Sequence, residues 1–573
     1  METKIFEKAI FILVLTLFFY PICSVSNSFA ATKEEIAATA LEGKFTALNP
    51  VAYMPEIDQI PLAPRVSDLN GKTVYIINSW PHGGSGFDAF LEKVGNELKK
   101  KFPTINVVHM NRGDSYDRPD DPQQRAEIVS KAASYIYGGN RTGLMNLYAF
   151  AFTTQLEKAG KPGTVVIYDN LKKVADKTRL TSGCPVRYSM VPDPPEKLSE
   201  KEFAAAFDNI VKALTTPLTA DEKKSGKYQP PKPPAVALTG TLAEIQDYFY
   251  KEGWTDGLPI IPPTKDKVAQ MLKGTKHAPD EIVAAAMDPE KLVVTVEKVA
   301  INGVMAGAKP EYMPALLALA EVCFKAKVGD LARSTNSFAF MQVINGPIRK
   351  ELNMNTELAA MSPGNQANSV LGRALTLFLK NLGGTEVGVN MMAVQGNAGY
   401  SFAFPENEEK SPWPPLSVEK GLKPGESAIS IFTGGWSHVG NYFYPGDGLE
   451  SLAKDIAAFE LPSYAVALIS PARVAMLKEK KMNKEDVKDF IFKNATQTLK
   501  EFRESQYFPT LITAGIKRGG SYPASYLTDP EDKVVPVYLR NRLEVVVVGG
   551  DGPPMMQGWR MGYGTTVSVD KWR

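Results

Sequence analysis

Several loops of this chain set residues capable of chemistry beside glycines or aromatics. Glu406, Glu408 and Glu409 stand together in FPENEEKSPW, between Phe402, Phe404 and Trp413. A carboxylate held against aromatic surface has a raised pKa and becomes a general acid, whereas a run of glutamates is ordinarily a solvated loop. His438 follows two glycines in TGGWSHVGNY (Thr433 to Tyr442) after the strand-like ISIF. That places an imidazole in a loop at a strand end, either as an acid or base or simply facing solvent. Asp551 lies in GGDGPPMMQGW after LEVVVV, where a tight turn is the plain alternative. His82 lies in SWPHGGSG (Ser79 to Gly86), which lacks both the lysine of a phosphate-cradling loop and the spacing of a dinucleotide fingerprint.

No zinc signature is present: the four histidines are far apart, and neither HExxH nor a paired CxxC occurs. No GxSxG elbow occurs either. No metal ligands are assigned, although a hard cation held by Asp and Glu would leave little trace, and the cofactor stays unknown. Lys+Arg of 65 against Asp+Glu of 63 leaves a net charge of +2, so nothing electrostatic calls for nucleic acid or an acidic membrane. Hydrophobic residues at 44% and charged residues at 22% exclude disorder and a multispanning membrane protein.

Lys4 and Lys8, the apolar run Ala9 to Tyr20, and the small residues ending at Ala30 and Ala31 read as a secretory signal. Its run is shorter than the roughly 20 residues of a spanning helix, so contact with a membrane is expected only through an uncleaved signal. Cleavage near Ala30 is expected, with export to a periplasm or the exterior. Cys23 would leave with the signal. Cys323 sits in ALLALAEVCF, a buried context, and Cys184 in TSGCPVRY, where it is the better candidate for a redox thiol.

The elements that must position these residues divide into two domains. Strand-like TVYIIN, helix-like FDAFLEKVGNELKKKF and strand-like INVVHMN open an alternating pattern. Helices at Gln123 to Tyr137, Leu144 to Ala159 and Glu200 to Leu214, with strands at Thr164 to Tyr168 and Val186 to Val191, continue it. This predicts an α/β fold over residues 31–218, layered with a mostly parallel sheet. A charged, then proline-rich stretch over 219–240 reads as a stiff linker. Residues 241–573 predict a larger mixed α/β domain, with helices at Leu449 to Phe459 and Lys484 to Phe502 and strands at Ala428 to Thr433 and Leu543 to Val548.

The motifs GWTDGLPIIPPT (Gly253 to Thr264), VEKVAINGVMAGAKPEYMP (Val296 to Pro314), INGP (Ile344 to Pro347), GNQANSVLGRAL (Gly364 to Leu375) and FPENEEKSPW resemble the large C-terminal domain of the UGSC-motif (seleno)protein family. The first domain, from LNGKTVYIIN to VRYSMVPDPP, resembles that family's N-terminal domain. Members carry a selenocysteine or cysteine in a Gly-Ser-Cys context at a helix start, which implies selenol or thiol chemistry. The equivalent stretch here is GGNRTGLM (Gly138 to Met145), with Thr142 where the reactive atom belongs and Met145 where the second cysteine does. Redox chemistry at that position is therefore not expected.

The resemblance leaves a polar set in the second domain. Glu406, Glu408, His438 and Asp256 are the candidate acid/base residues. Trp254, Asn302, Asn345, Asn365, Asn368 and Arg373 are the candidate binding residues, and Glu297 belongs to the same polar set without an assigned role. Arginine offers a planar fork, and asparagine both donor and acceptor, for a carboxylate or amide. Three readings follow. One is an exported enzyme acting on a small polar metabolite in the cleft between domains. The second is an exported binding protein without chemistry. The third gives Cys184 the reactive role. Each has a small molecule as partner, and none fixes the oligomeric state.

Overall fold

The computed structural model describes residues 43–79, 87–335, 338–392, 403–441, 444–459, 463–505, 507–520 and 522–573. The expected signal with Cys23, the loop carrying His82, and Phe402 lie outside the described residues. None of the described helices is long and apolar enough to cross a membrane.

In the first domain, strands and helices alternate: β1 (Thr73–Asn78), α1 (Asp88–Lys101), β2 (Asn106–Asn111), α2 (Pro122–Lys131), β3 (Ser134–Gly138), α3 (Gly143–Lys158), β4 (Gly163–Tyr168), α4 (Lys172–Ser182), β5 (Tyr188–Val191) and α5 (Glu200–Thr215). The five strands form one parallel sheet in the order β2-β1-β3-β4-β5. Alternate residues along each strand point to opposite faces. Accordingly Val74, Ile76 and Ile136 pack with Phe90 and Val94 of α1 and Ile210 of α5, while Tyr75, Ile77 and Tyr135 pack with Phe150 and Leu156 of α3. The order reverses between β1 and β3, and in such sheets ligands gather beyond the strand ends at that reversal.

One expectation fails here for a physical reason. The stretch expected as a helix from Gln123 to Tyr137 ends at Lys131, and SYIYG becomes the central strand β3. A strand buried on both faces has no alternation, so periodicity does not separate it from a buried helix segment.

In the second domain, the elements used below are α6 (Leu242–Lys251), α7 (Val296–Ala306), α8 (Met313–Lys325), β6 (Ala339–Asn345), α9 (Gln366–Leu377), β7 (Ala403–Pro405), β8 (Ala428–Asn441), α10 (Leu449–Ala457), β9 (Ala465–Ile469), α11 (Lys484–Asn494), β10 (Leu543–Val547) and β11 (Met556–Ser568). A six-stranded sheet runs β7-β6-β8-β11-β9-β10. It is mixed: the β7-β6 and β9-β10 pairs are parallel and the others antiparallel. Helices α7, α8 and α9 cover one region of it, through Phe340, Ile344, Ile429 and Ile431. Helices α10 and α11 cover another, through Ala465, Ile469 and Val545. The helix expected from Lys484 to Phe502 is broken at Ala495, after which Thr496–Thr498 is a strand and Thr498 caps a short new helix. The loop expected from Thr433 to Tyr442 is instead the second half of β8.

The stretch expected as a stiff linker pairs with the chain before β1. Gly226–Tyr228 pairs antiparallel with Ile57–Gln59, and Val236–Gly240 with Phe45–Leu48. Ala47 and Ala52 of this N-terminal arm belong to the second domain's main core.

Candidate functional site

The middle of α4, the turn after α6 and the end of α9 enclose a cleft of about 700 Å3 between the domains. Glycines at φ +72° (Gly253) and +92° (Gly257) let the backbone reverse on either side of Trp254, Thr255 and Asp256, a conformation other residues adopt only with strain. The Trp254 indole meets Tyr248 and Phe249 edge to face, with centroids 5.6 and 5.2 Å away. The guanidinium of Arg373 on α9 grips Asp256 with two hydrogen bonds of 2.8 and 3.1 Å and also donates to the Pro259 carbonyl at 2.7 Å. Behind the turn, the Asn381 amide donates to the Trp254 carbonyl (2.9 Å) and to Asn302 Oδ1 (2.8 Å). Asn302 in turn donates to the Pro50 carbonyl of the arm at 3.0 Å. Trp254 and Asp256 thus line the cleft, and Arg373 and Asn302 hold its wall from behind.

Helix α9 ends in a π-turn, Phe378–Leu382, and its Lys380 joins the cleft wall. Such turns insert a residue and re-aim side chains, and they are frequent at functional sites. The first domain's cations at the cleft, Lys177 and the neighbouring Lys173, both pair with Glu386, at 3.2 and 3.5 Å. Asp256 belongs to Arg373. Lys380 has no ion-pair or hydrogen-bond partner for its ammonium among the described residues. Burial pushes its pKa down, against the weaker pull of Asp256 and Glu386. On the same wall Thr385 is only 5% exposed, its Oγ1 buried without a hydrogen-bond partner among the described residues. An ammonium without a counter-charge on a concave surface calls for an acceptor-rich anion.

The other place the topology favours is the start of α3, where Thr142 stands. There Thr142 Oγ1 accepts from the Met145 N–H at 3.1 Å as the helix cap. The Gly143 N–H approaches Met392 Sδ at 3.3 Å, and the Leu144 N–H donates to the Arg333 carbonyl at 3.2 Å, both partners being in the second domain. A Cβ at position 143 would lie 2.9 Å from that sulfur, so a larger residue there would push the Met392 side chain aside. The N–H groups that would greet a ligand at a helix start are already engaged. Nearby, Arg141 holds Asp193 through Nη2 at 2.8 Å, and Ser79 Oγ donates to the Gly139 carbonyl at 2.7 Å.

Compared with known families, residues 46–220 match the model of the UGSC family. The first domain is a UGSC family domain. The match ends at residue 220. No curated protein matches the chain, and no solved structure does.

Beyond the UGSC domain, the remaining polar residues do not converge on the cleft. Glu406 is fully buried: Oε2 accepts from Asn345 Nδ2 (2.8 Å) and the Leu416 N–H (2.7 Å), and Oε1 from Lys484 Nζ (3.0 Å). Glu408 accepts from the same Asn345 amide (3.0 Å) and the Gly346 N–H (2.7 Å), and pairs with Arg349 at 2.9 Å. Arg349 and Lys350 grip Glu409 and hold its carboxyl down at about 2. The three glutamates therefore fasten the 405–410 loop to the end of β6 and to α11, and Glu406 has no exposed oxygen to meet a substrate.

His438 is exposed on β8 and stacks on Trp559 of β11, its cross-strand partner, at 4.3 Å and 11°. Asn345 pairs with Ala428 at the other end of β8, ten positions away, so at a strand rise of about 3.3 Å per residue His438 stands roughly 30 Å from Glu406. The expected acid/base group of Glu406, Glu408 and His438 is not assembled. Asn365 caps α9, accepting from the Asn368 N–H at 3.1 Å, and Asn368 donates to the Ala360 carbonyl at 2.9 Å. Glu297 is exposed at the start of α7, and Asp551 reaches Lys410 at 2.9 Å.

Cys184 is completely buried, and burial, with the Glu157 carboxylate nearby, pushes its thiol up to about 11. That is the opposite of the depressed pKa and exposure a reactive thiol needs. Burial likewise takes Cys323 up to about 12. Lys380, Thr385 and Lys177 are the site residues the sequence reading missed.

Proposed function

We propose that the chain binds a small carboxylate-bearing metabolite in the cleft between the UGSC domain and the second domain. The Lys380 ammonium is its counter-ion, and the Trp254 to Asp256 turn is its wall. The observation that carries this reading is Lys380, a half-buried cation on a concave surface with no ion-pair or hydrogen-bond partner for its ammonium among the described residues. A volume of about 700 Å3 suits a metabolite-sized ligand. Binding without chemistry is the better-supported version, because none of Glu406, Glu408 and His438 lines the cleft and Asp256 is engaged by Arg373. The N-terminal pattern of basic, apolar and small residues further supports export to a periplasm or the exterior.

A thermal-shift screen of the protein with dicarboxylates such as succinate and malate tests the reading, with their diamides as controls. A ligand that binds only the folded state raises apparent stability with its concentration. Acids raise the transition temperature, diamides do so less, and Lys380→Met removes the difference. Equal shifts for acids and diamides, or a full acid shift in Lys380→Met, reject the anion site. An exported chain yields a mature N-terminus at Ala31 on sequencing, and a chain retaining Met1 rejects export.

A further inference from the structure

A second cavity, of about 600 Å3, lies in the second domain and shares no lining residue with the interdomain cleft. It opens between α11, the start of β10 and the segment carrying Tyr522 and Tyr526. Its lining residues Glu419, Lys420, Lys488 and Glu544 belong to a chain of opposite charges that continues behind the cavity to Lys484 and Glu406. Lys484 pairs with Glu406 (3.0 Å) and Glu419 (3.5 Å), Lys488 with Glu419 (3.5 Å) and Glu544 (3.4 Å), and Lys420 with Glu544. Lys484, Lys488 and Glu544 are 2%, 5% and 4% exposed. Folding does not require such a group: replacing buried ion pairs by packed apolar side chains is often neutral or stabilising. Ionic residues buried beside a cavity are therefore a sign of function.

The wall also defines the chemistry of what it would hold. The lysines and glutamates balance one another, so neither a net cation nor a net anion is favoured. Every member is already in an ion pair, and a zwitterion would have to break one to make its own. A neutral polyol leaves the pairs intact: its hydroxyls donate to spare carboxylate lone pairs and accept from spare ammonium hydrogens. Glu544 Oε2 lies 3.4 Å from Lys488 Nζ, an ion pair that a hydroxyl donor would not need to break. The opposite side of the cavity is aromatic, formed by Phe492, Tyr522 and Tyr526, and the tyrosine hydroxyls are turned away to the carbonyls of Val537 and Pro536. Ring surface on one side and paired ions on the other match a ligand with a C–H face and a hydroxyl edge. We infer that this cavity is a binding site for a neutral sugar ring, recognised by Glu544, Lys488 and Lys420 and packed against Phe492 and Tyr526.

Calorimetric titration and saturation-transfer NMR on the full chain test this with glucose, N-acetylglucosamine and maltose, against phenylalanine and glycine betaine as zwitterions. At least one sugar binds and neither zwitterion does. Asn541→Trp, at the exposed mouth, abolishes binding, Glu544→Gln weakens it about tenfold, and Lys380→Met leaves it unchanged. Should Glu544→Gln fail to fold, Asn541→Trp decides alone. The proposal is overturned if no sugar binds, if a zwitterion binds in preference and is displaced by Asn541→Trp, or if sugar binding is indifferent to Asn541→Trp.

Discussion

Lys380 and Lys484 are both withdrawn from bulk water in the second domain, and their surroundings could hardly differ more. Lys484 on α11 has Glu406 at 3.0 Å, the Pro414 carbonyl at 2.8 Å and Glu419 at 3.5 Å. Lys380, on the π-turn after α9, has no such partner and faces a cleft. Around Lys484 the protein supplies the counter-charge itself. Around Lys380 it leaves that place to something from solution. A buried ionisable group therefore calls for a counter-charge from solution only where the protein does not supply one.

Substitution at the two lysines is the strongest way to break this comparison. Lys484→Ala leaves Glu406 buried without its counter-ion, and a loss of about 3–5 kcal/mol in urea denaturation is expected. Lys380→Met removes a cation with no ion-pair partner among the described residues, so stability should stay within about 1 kcal/mol of the parent, while carboxylate affinity falls about tenfold or more. Equal destabilisation by both would erase the distinction.

A pH titration sharpens the comparison further. Because burial lowers the pKa of Lys380, a bound anion that favours its charged form must raise it again, and binding takes up protons. Affinity for succinate should be full below the lowered pKa of the free protein and decline as pH rises through it. Lys380→Arg should bind with no such decline over the same range, and a decline that persists in it would assign the titration to another group. The smallest effect is expected at His438, whose role is a surface stack on Trp559: His438→Ala should cost no more than about 1.5 kcal/mol in the same denaturation assay and leave every ligand titration unchanged.

Much of the first domain was legible because TVYIIN and INVVHMN are β-branched runs between turn signals, and α1 and α5 carry apolar residues at helical spacing. The central strand SYIYG was not, since burial on both faces removes the alternation that identifies a strand. Trp254 and Asp256 of the cleft came from the resemblance carried by GWTDGLPIIPPT, while Arg373, expected to anchor a ligand, holds Asp256 instead. Lys380 was not readable. In LTLFLKNLGG it looks like the last charge of an apolar helix, and only the π-turn, a product of tertiary packing, aims it at the cleft. Glu406 misled for a related reason. Its aromatic neighbours are local, but Lys484, which takes up its charge, comes 78 residues later.

The pairing of Phe45–Leu48 with Val236–Gly240 makes the layered α/β part of the first domain an insertion in its neighbour: chain from before β1 and after α5 contributes to one core. During synthesis the arm emerges well before its partner strand and cannot complete its ribbon until almost two hundred further residues have followed. A protease that cuts between Thr216 and Gly226 would leave the two pieces clasped. A fragment starting after the UGSC domain would lack Ala47 and Ala52 and carry an unfilled groove where the arm belongs.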